Sequence, residues 1–156
     1  MPIAVNQPAP DFELPSSEAE NGRPGKKYKL SNLRGKPVVL AFYPLDFSPV
    51  CTNENTCFRD DLSQFQQLGA QVFGISVDSA WCHEAFAKSL GLSYPLLADF
   101  HPKGSVAKAY GLYLEDRGIA RRATVVIDKE GKVSWVKEHE AQRDNQELLA
   151  AIRAAS

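Results

Sequence analysis

Two short apolar runs, Val38-Val39-Leu40-Ala41-Phe42 and Val72-Phe73-Gly74-Ile75-Ser76-Val77, constrain this chain more than any other feature. Each is continuous and brief, the mark of a strand buried on both faces. Pro44 stops the first run. Between the two lies a segment from about Pro49 to Leu68 in which Phe58, Leu62 and Phe65 recur at i, i+4 and i+7. Asp60, Asp61, Gln64 and Gln67 fall on its other faces, so the segment reads as an amphipathic helix, and Gly69 supplies a stop. Strand, helix, strand in that order is a crossover unit, which joins parallel neighbours.

The rest of the chain extends this plan. A second helix is predicted from about Ala80 to Leu90, ending at Gly91, and a third, short one from Lys103 to Tyr110. Thr124–Ile127 and Lys132–Val136 read as strands joined by the turn Asp128-Lys129-Glu130-Gly131, a hairpin. A last helix runs from Asn145 to Ala154, with Asn145 or Asp144 as its cap. The first 35 residues are rich in Pro, Gly, Ser and Asn and predict short strands at Asp11–Leu14 and Tyr28–Leu30. The expected class is α/β, with a mixed central sheet flanked by helices on both faces, the plan of a thioredoxin-like fold. At 156 residues the chain is read as a single domain, 1–156.

Composition narrows the function. The apolar fraction is 44% and the charged fraction 24%, ordinary for a globular protein. A formal net charge of −1 argues against a nucleic-acid or membrane-surface partner. Lys26, Lys27 and Lys29 read as a solvated loop. The first residues lack the pattern of a signal peptide, and no apolar run is long enough to span a bilayer, so a cytoplasmic location is expected. In a reducing compartment three cysteines point to reactive thiols rather than a disulfide framework. No metal or cofactor is expected, because Cys and His are scattered without ligand spacing. His83, His101 and His139 read as surface or capping residues, Trp81 and Trp135 as core or interface residues. Tyr43 and Phe47 are expected at a pocket mouth.

Cys51 draws the most attention. Ser48-Pro49 is a helix-start signature, with the hydroxyl as cap and proline in the first helical position. Cys51 then falls in the first turn, near amide groups without intrahelical partners and at the positive end of the helix dipole. Both features favour negative charge on sulfur. Cys51 also shares the inward face of Phe58, Leu62 and Phe65, so position alone fits a buried structural cysteine equally well.

Pro44-x-x-x-Ser48-x-x-Cys51, after a strand ending Phe42-Tyr43, resembles the active-site motif of the peroxiredoxins. Pro8-Ala9-Pro10-Asp11-Phe12, Leu33-Arg34-Gly35-Lys36-Pro37-Val38-Val39-Leu40, Gly74-Ile75-Ser76-Val77-Asp78 and Arg122-Ala123-Thr124-Val125-Val126-Ile127-Asp128 fit the same family in order. The resemblance is to the bacterioferritin-comigratory (Q-type) and AhpE-like branch. It implies a thiol peroxidase acting on hydrogen peroxide and organic hydroperoxides, with thioredoxin or a similar thiol as reductant and a monomer or homodimer as the working form. It implies Cys51 as the peroxidatic nucleophile and Arg122 as the cation holding its thiolate and binding peroxide. Ser48 would hydrogen-bond the peroxide, Pro44 would shield the thiolate, and Glu54 would orient Arg122. Ser48 stands where the family usually has Thr.

The resolving thiol is left open. Relatives with a second cysteine five residues after the first are not matched, because Thr56 stands there. Cys57 would lie about 120° around and about 9 Å along an intact helix from Cys51, beyond disulfide reach. It shares a polar column with Glu54, Asp61 and Gln64. Cys82, in line with Phe86 and Leu90, resembles the position some Q-type relatives use and is the favoured candidate, with Cys57 and an external thiol as alternatives. Two other functions compete. A thioredoxin-type disulfide oxidoreductase normally needs Cys-x-x-Cys, but Glu54 fills the second position. A non-enzymatic redox sensor or holdase would use the same fold.

Overall fold

The two apolar runs lie side by side as parallel strands, with Val38 opposite Gln71 and Phe42 opposite Ile75. The structure is a computed structural model that describes residues 2–140 and 144–155. Its strands are β1 (Glu13–Pro15), β2 (Ala19–Glu20), β3 (Arg23–Pro24), β4 (Lys27–Lys29), β5 (Val38–Phe42), β6 (Gln71–Ser76), β7 (Leu96–Ala98), β8 (Tyr113–Leu114), β9 (Ile119–Ala120), β10 (Ala123–Ile127) and β11 (Val133–Glu138). Its α-helices are α1 (Pro49–Gln67), α2 (Ala80–Leu90), α3 (Ser105–Ala109) and α4 (Asn145–Ala155). None of them is long and apolar enough to cross a membrane.

The central sheet has the order β11-β10-β5-β6-β7. β5, β6 and β7 are parallel, while β10 runs antiparallel to both β5 and β11. Every residue of β5 and β10 is buried, which explains why neither alternates in sequence. Strand pleating divides the core in two. Val38, Leu40, Phe42 and Val125 pack with Phe12, Leu14 and Tyr110 on one face. Val39, Ala41 and Val126 pack with Phe58, Phe65, Phe86 and Ile152 on the other. So α1, α2 and α4 cover one face, and the short α3 covers the other beside the N-terminal β1–β4 pair. This is the mixed, two-sided thioredoxin-like plan.

Some details depart from the expectation. β7 was not foreseen, since three residues between Pro95 and Asp99 carry no periodicity. Asp144 rather than Asn145 caps α4: its Oδ1 accepts from the amides of Gln146 at 2.9 Å and Glu147 at 3.4 Å. Asn145 instead reaches back to α1, donating to Asp61 Oδ2 at 2.8 Å and to the Cys57 carbonyl at 3.4 Å. The column predicted as a polar face of α1 is therefore partly covered. Glu54 is buried and Cys57 half-buried. Trp81, expected in a core or interface, is 64% exposed, so it is no core residue.

Parallel strands end at one edge of the sheet. β5 and β6 finish there, and α1 and α2 begin there, so both helix N-termini flank the same crevice.

Candidate active site

The pairing register brings the first two partners together. Ala123 of β10 lies opposite Phe42, the last residue of β5. Arg122, one residue earlier, therefore sits where the chain leaves β5 for the Cys51 turn. Cys51 is fully buried in the first turn of α1. Arg122 Nη2 donates to its Sγ at 3.4 Å. Arg122 Nη1 forms an ion pair with Glu54, whose side chain is buried one turn along the helix. The guanidinium thus bridges sulfur and carboxylate, a planar fork that Lys does not offer. Arg121 points away and lies 3.9 Å from Glu138 at the surface. Successive residues of an extended chain face opposite ways, and Arg122 is the one turned inward.

Ser48 differs from its expected geometry. It occupies the N-cap position, but its hydroxyl makes no cap bond. The hydroxyl donates instead to the Leu45 carbonyl at 3.2 Å, closing the turn that precedes the helix. Pro44 is half-buried and, with Arg122, Ile119, Ala120 and His139, lines an open cleft of about 610 Å³. Asn55 was missed in the sequence. Its Nδ2 donates to the Cys51 carbonyl at 2.8 Å, and Tyr94 Oη donates to its Oδ1 at 2.5 Å. The signal was available: Asn55 is a polar residue within the apolar stripe of Cys51, Phe58 and Leu62, and buried polar groups require partners.

A second polar cluster lies at the start of α2. His83, expected at the surface or as a cap, is fully buried, with Nδ1 2.7 Å from Asp46 Oδ2 and Nε2 2.9 Å from the Leu97 carbonyl oxygen. Tyr43, expected at the pocket mouth, is also buried and donates to Asp46 Oδ1 at 2.5 Å. Burial, then the Asp46 charge, pushes the Tyr43 phenol well above its usual range. The Asp46 amide donates to Asp78 Oδ2 at 2.8 Å, and Asp78 also accepts from Ser76. Both residues pack here because an imidazole and a phenol supply donors to the buried Asp46 carboxylate. Asp46, Asp78 and His83 bring potential ligand atoms within 4.8 Å of one another. Both imidazole nitrogens are already engaged, which makes the trio a hydrogen-bonded network.

Cys82 borders this cluster. Its amide donates to the Ser79 hydroxyl at 3.1 Å, and its half-buried sulfur lies 3.9 Å from Asp78 Oδ1. Burial, followed by Asp46 and Asp78, pushes its thiol up to about 12. No disulfide joins the three cysteines. Phe47 is 56% exposed, with its ring edge-on to buried Phe86 at 4.9 Å between centroids. His101 is exposed, and His139 Nε2 lies 3.0 Å from Thr124 Oγ1.

Comparison with known proteins places this geometry in a family. The AhpC/TSA family profile matches residues 5–136. The chloroplastic 2-Cys peroxiredoxin of Spinacia oleracea is 43% identical over 141 residues, covering 85% of this chain and 51% of that protein. The chain thus spans about half the length of that relative. A putative peroxiredoxin of Coxiella burnetii is 38% identical over 142 residues, covering 87% of this chain and 89% of that one. The crystal structure of the peroxidoxin BcpB from Mycobacterium tuberculosis superposes with a TM-score of 0.85 at 35% identity, covering 97% of each chain. With the family profile spanning most of its length and peroxiredoxins as its relatives, this chain belongs to the AhpC/TSA family.

Proposed function

We propose that this chain is a thiol peroxidase in which Cys51 is the nucleophile. The observation that carries the reading is the Arg122 guanidinium 3.4 Å from a fully buried sulfur in the first turn of a helix. The Cys51 thiolate attacks one oxygen of the hydroperoxide. The S–O bond forms, the O–O bond breaks, and the leaving oxygen departs as water or alcohol after taking a proton. Arg122 and the first amides of α1 stabilise the charge that develops on the peroxide oxygens. Glu54 orients Arg122, Pro44 limits access of water, and the Ser48 hydroxyl accepts or donates to peroxide once it turns from the Leu45 carbonyl.

The product is a sulfenic acid on Cys51. Cys82 is the thiol proposed to resolve it, giving a disulfide that a thioredoxin-like dithiol reduces. Hydrogen peroxide and organic hydroperoxides are the proposed substrates, in a cytoplasmic setting, with a monomer or homodimer as the working unit. Cys51→Ser should abolish peroxide-dependent oxidation of the reductant while leaving the fold intact by circular dichroism. Full activity in that variant sinks the proposal. Peptide mapping after one equivalent of peroxide should find Cys51 joined to Cys82, and a Cys51–Cys57 link would reassign the resolving role.

A further inference from the structure

Cys51 and Cys82 are both free thiols, and each sulfur has its own partner. One sulfur meets Arg122 at 3.4 Å and the other Asp78 at 3.9 Å, so a disulfide between them requires both contacts to be given up. The segment leading into α1 carries backbone strain. Phe47 has φ 68°, a left-handed conformation that costs a bulky residue energy. Ser48 provides no side-chain cap for the helix that follows. The segment is also held from outside, by α2 and the turn that leads into it. Phe47 packs on Phe86, the Asp46 amide donates to Asp78, and the Asp46 carboxylate meets His83.

The last contact differs from the others. Both side chains are 0% exposed, and their atoms lie 2.7 Å apart. The Leu97 carbonyl oxygen only accepts, so His83 Nε2 carries a hydrogen. Nδ1 faces a carboxylate, so one further proton is shared between His83 and Asp46. The result is a proton-bridged pair sealed from water, tying the Cys51 segment to α2 and, through Leu97, to β7.

We propose that the Asp46–His83 pair is a latch whose opening sets how fast Cys82 reaches oxidised Cys51. This rests on the reading of Cys82 as the resolving thiol. Closed, the latch keeps the Cys51 turn assembled for peroxide. Open, it frees that turn and takes the Asp46 charge away from Cys82, whose thiol then ionises more readily. The Cys82 sulfur attacks the Cys51 sulfur, the S–S bond forms, and the S–O bond breaks. The departing hydroxide leaves as water with the Cys82 proton. Asp46 and His83 are positioning residues that hold the Cys51 turn, and in the closed form the Asp46 carboxylate also hydrogen-bonds the Cys82 thiol.

Stopped-flow fluorescence of the full chain after mixing with hydrogen peroxide tests this, with Trp81 beside Cys82 as reporter. The first phase follows sulfenic acid formation and the second follows the disulfide. Asp46→Asn keeps shape and hydrogen bonds while removing the charge, and His83→Ala removes the latch. Losing the charge-assisted part of the bond should speed the second phase about fivefold in Asp46→Asn, and more in His83→Ala, with the first phase unchanged. Overoxidation should then need more peroxide in both variants. A merely structural role predicts that both phases slow together, and that result in Asp46→Asn overturns the latch even if His83→Ala fails to fold. An unchanged second phase in Asp46→Asn also overturns it. Disulfide mapping of the unmodified chain separates the two levels. If no Cys51–Cys82 bond forms, the reading of Cys82 falls and the latch with it. If the bond forms and the variants keep its rate, the latch alone falls.

Discussion

A sulfur anion without solvent contact is stable only when positive charge lies against it, and Arg122 is the side chain that meets this need at Cys51. Replacing it by Met removes charge and donors together. The second-order rate of peroxide reduction, read by stopped flow, should fall about 10²- to 10³-fold, the usual effect of deleting one preorganised donor. Arg122→Lys should fall between, because an ammonium keeps the charge but lacks the planar fork that reaches sulfur and Glu54 from separate nitrogens. A wild-type rate in Arg122→Met would remove the cation from the mechanism. At Cys82 the environment acts in the opposite sense. With its thiol pushed up to about 12, deprotonation is rare near pH 8. Iodoacetamide should label Cys82 about 10³-fold more slowly in the folded reduced chain than in urea, because only the thiolate reacts. The folded-state rate should rise about tenfold per pH unit above 8, and labelling at the unfolded rate would contradict the carboxylate environment. Cys51 and Arg122 were legible in the sequence through the family resemblance of Pro44-x-x-x-Ser48-x-x-Cys51 and Arg122–Asp128, beyond what position alone gave. His83 was not: its partner Asp46 lies 37 positions away, and no spacing rule encodes that contact.

At the scale of elements, signals confined to a few neighbouring residues were read well. β5 and α2 match their expected bounds, and Gly91 adopts φ 64° to end α2. What failed was side-chain assignment at helix ends, where several acceptors compete. Ser48 has a cap's identity and position, yet its hydroxyl serves Leu45. Asp144 was one of two candidates and holds the cap of α4. These two residues give a paired test by urea denaturation. Asp144→Ala should cost about 1 kcal/mol, the usual loss of a helix cap, whereas Ser48→Ala should cost well under that. Ser48→Ala should nevertheless slow peroxide reduction, since its proposed partner is the substrate. Equal losses of stability in the two variants would show that the Ser48 hydroxyl supports the helix after all. The polar column of α1 was misjudged for another reason. Asn145 and Arg122, both remote in sequence, supply the partners that let Asp61 and Glu54 turn inward.

Across the whole molecule, the site depends on three elements meeting at one edge of the sheet, and the pairing of β10 with β5 fixes that meeting. Backbone hydrogen bonds set Ala123 opposite Phe42 and so deliver Arg122 to Cys51. α4 lies against both β10 and α1 and braces the arrangement from the far side. Its Ile152 is fully buried in the core that includes Phe58 and Val126. Truncating it separates stability from chemistry. Ile152→Ala should cost about 2–5 kcal/mol through lost contacts and the cavity left behind. For a chain of this length that lowers Tm by roughly 4–20 °C. The peroxide rate per folded molecule at 25 °C should stay at the wild-type value, because the Arg122–Cys51 distance is set by strand register and the Glu54 pair rather than by α4. Measured by calorimetry and stopped flow on the same sample, a large drop in Tm with an unchanged rate supports that division. A rate that falls while the chain remains folded would mean that α4 positions α1 against β10, and the chemistry would then depend on the distant core as well as on the register.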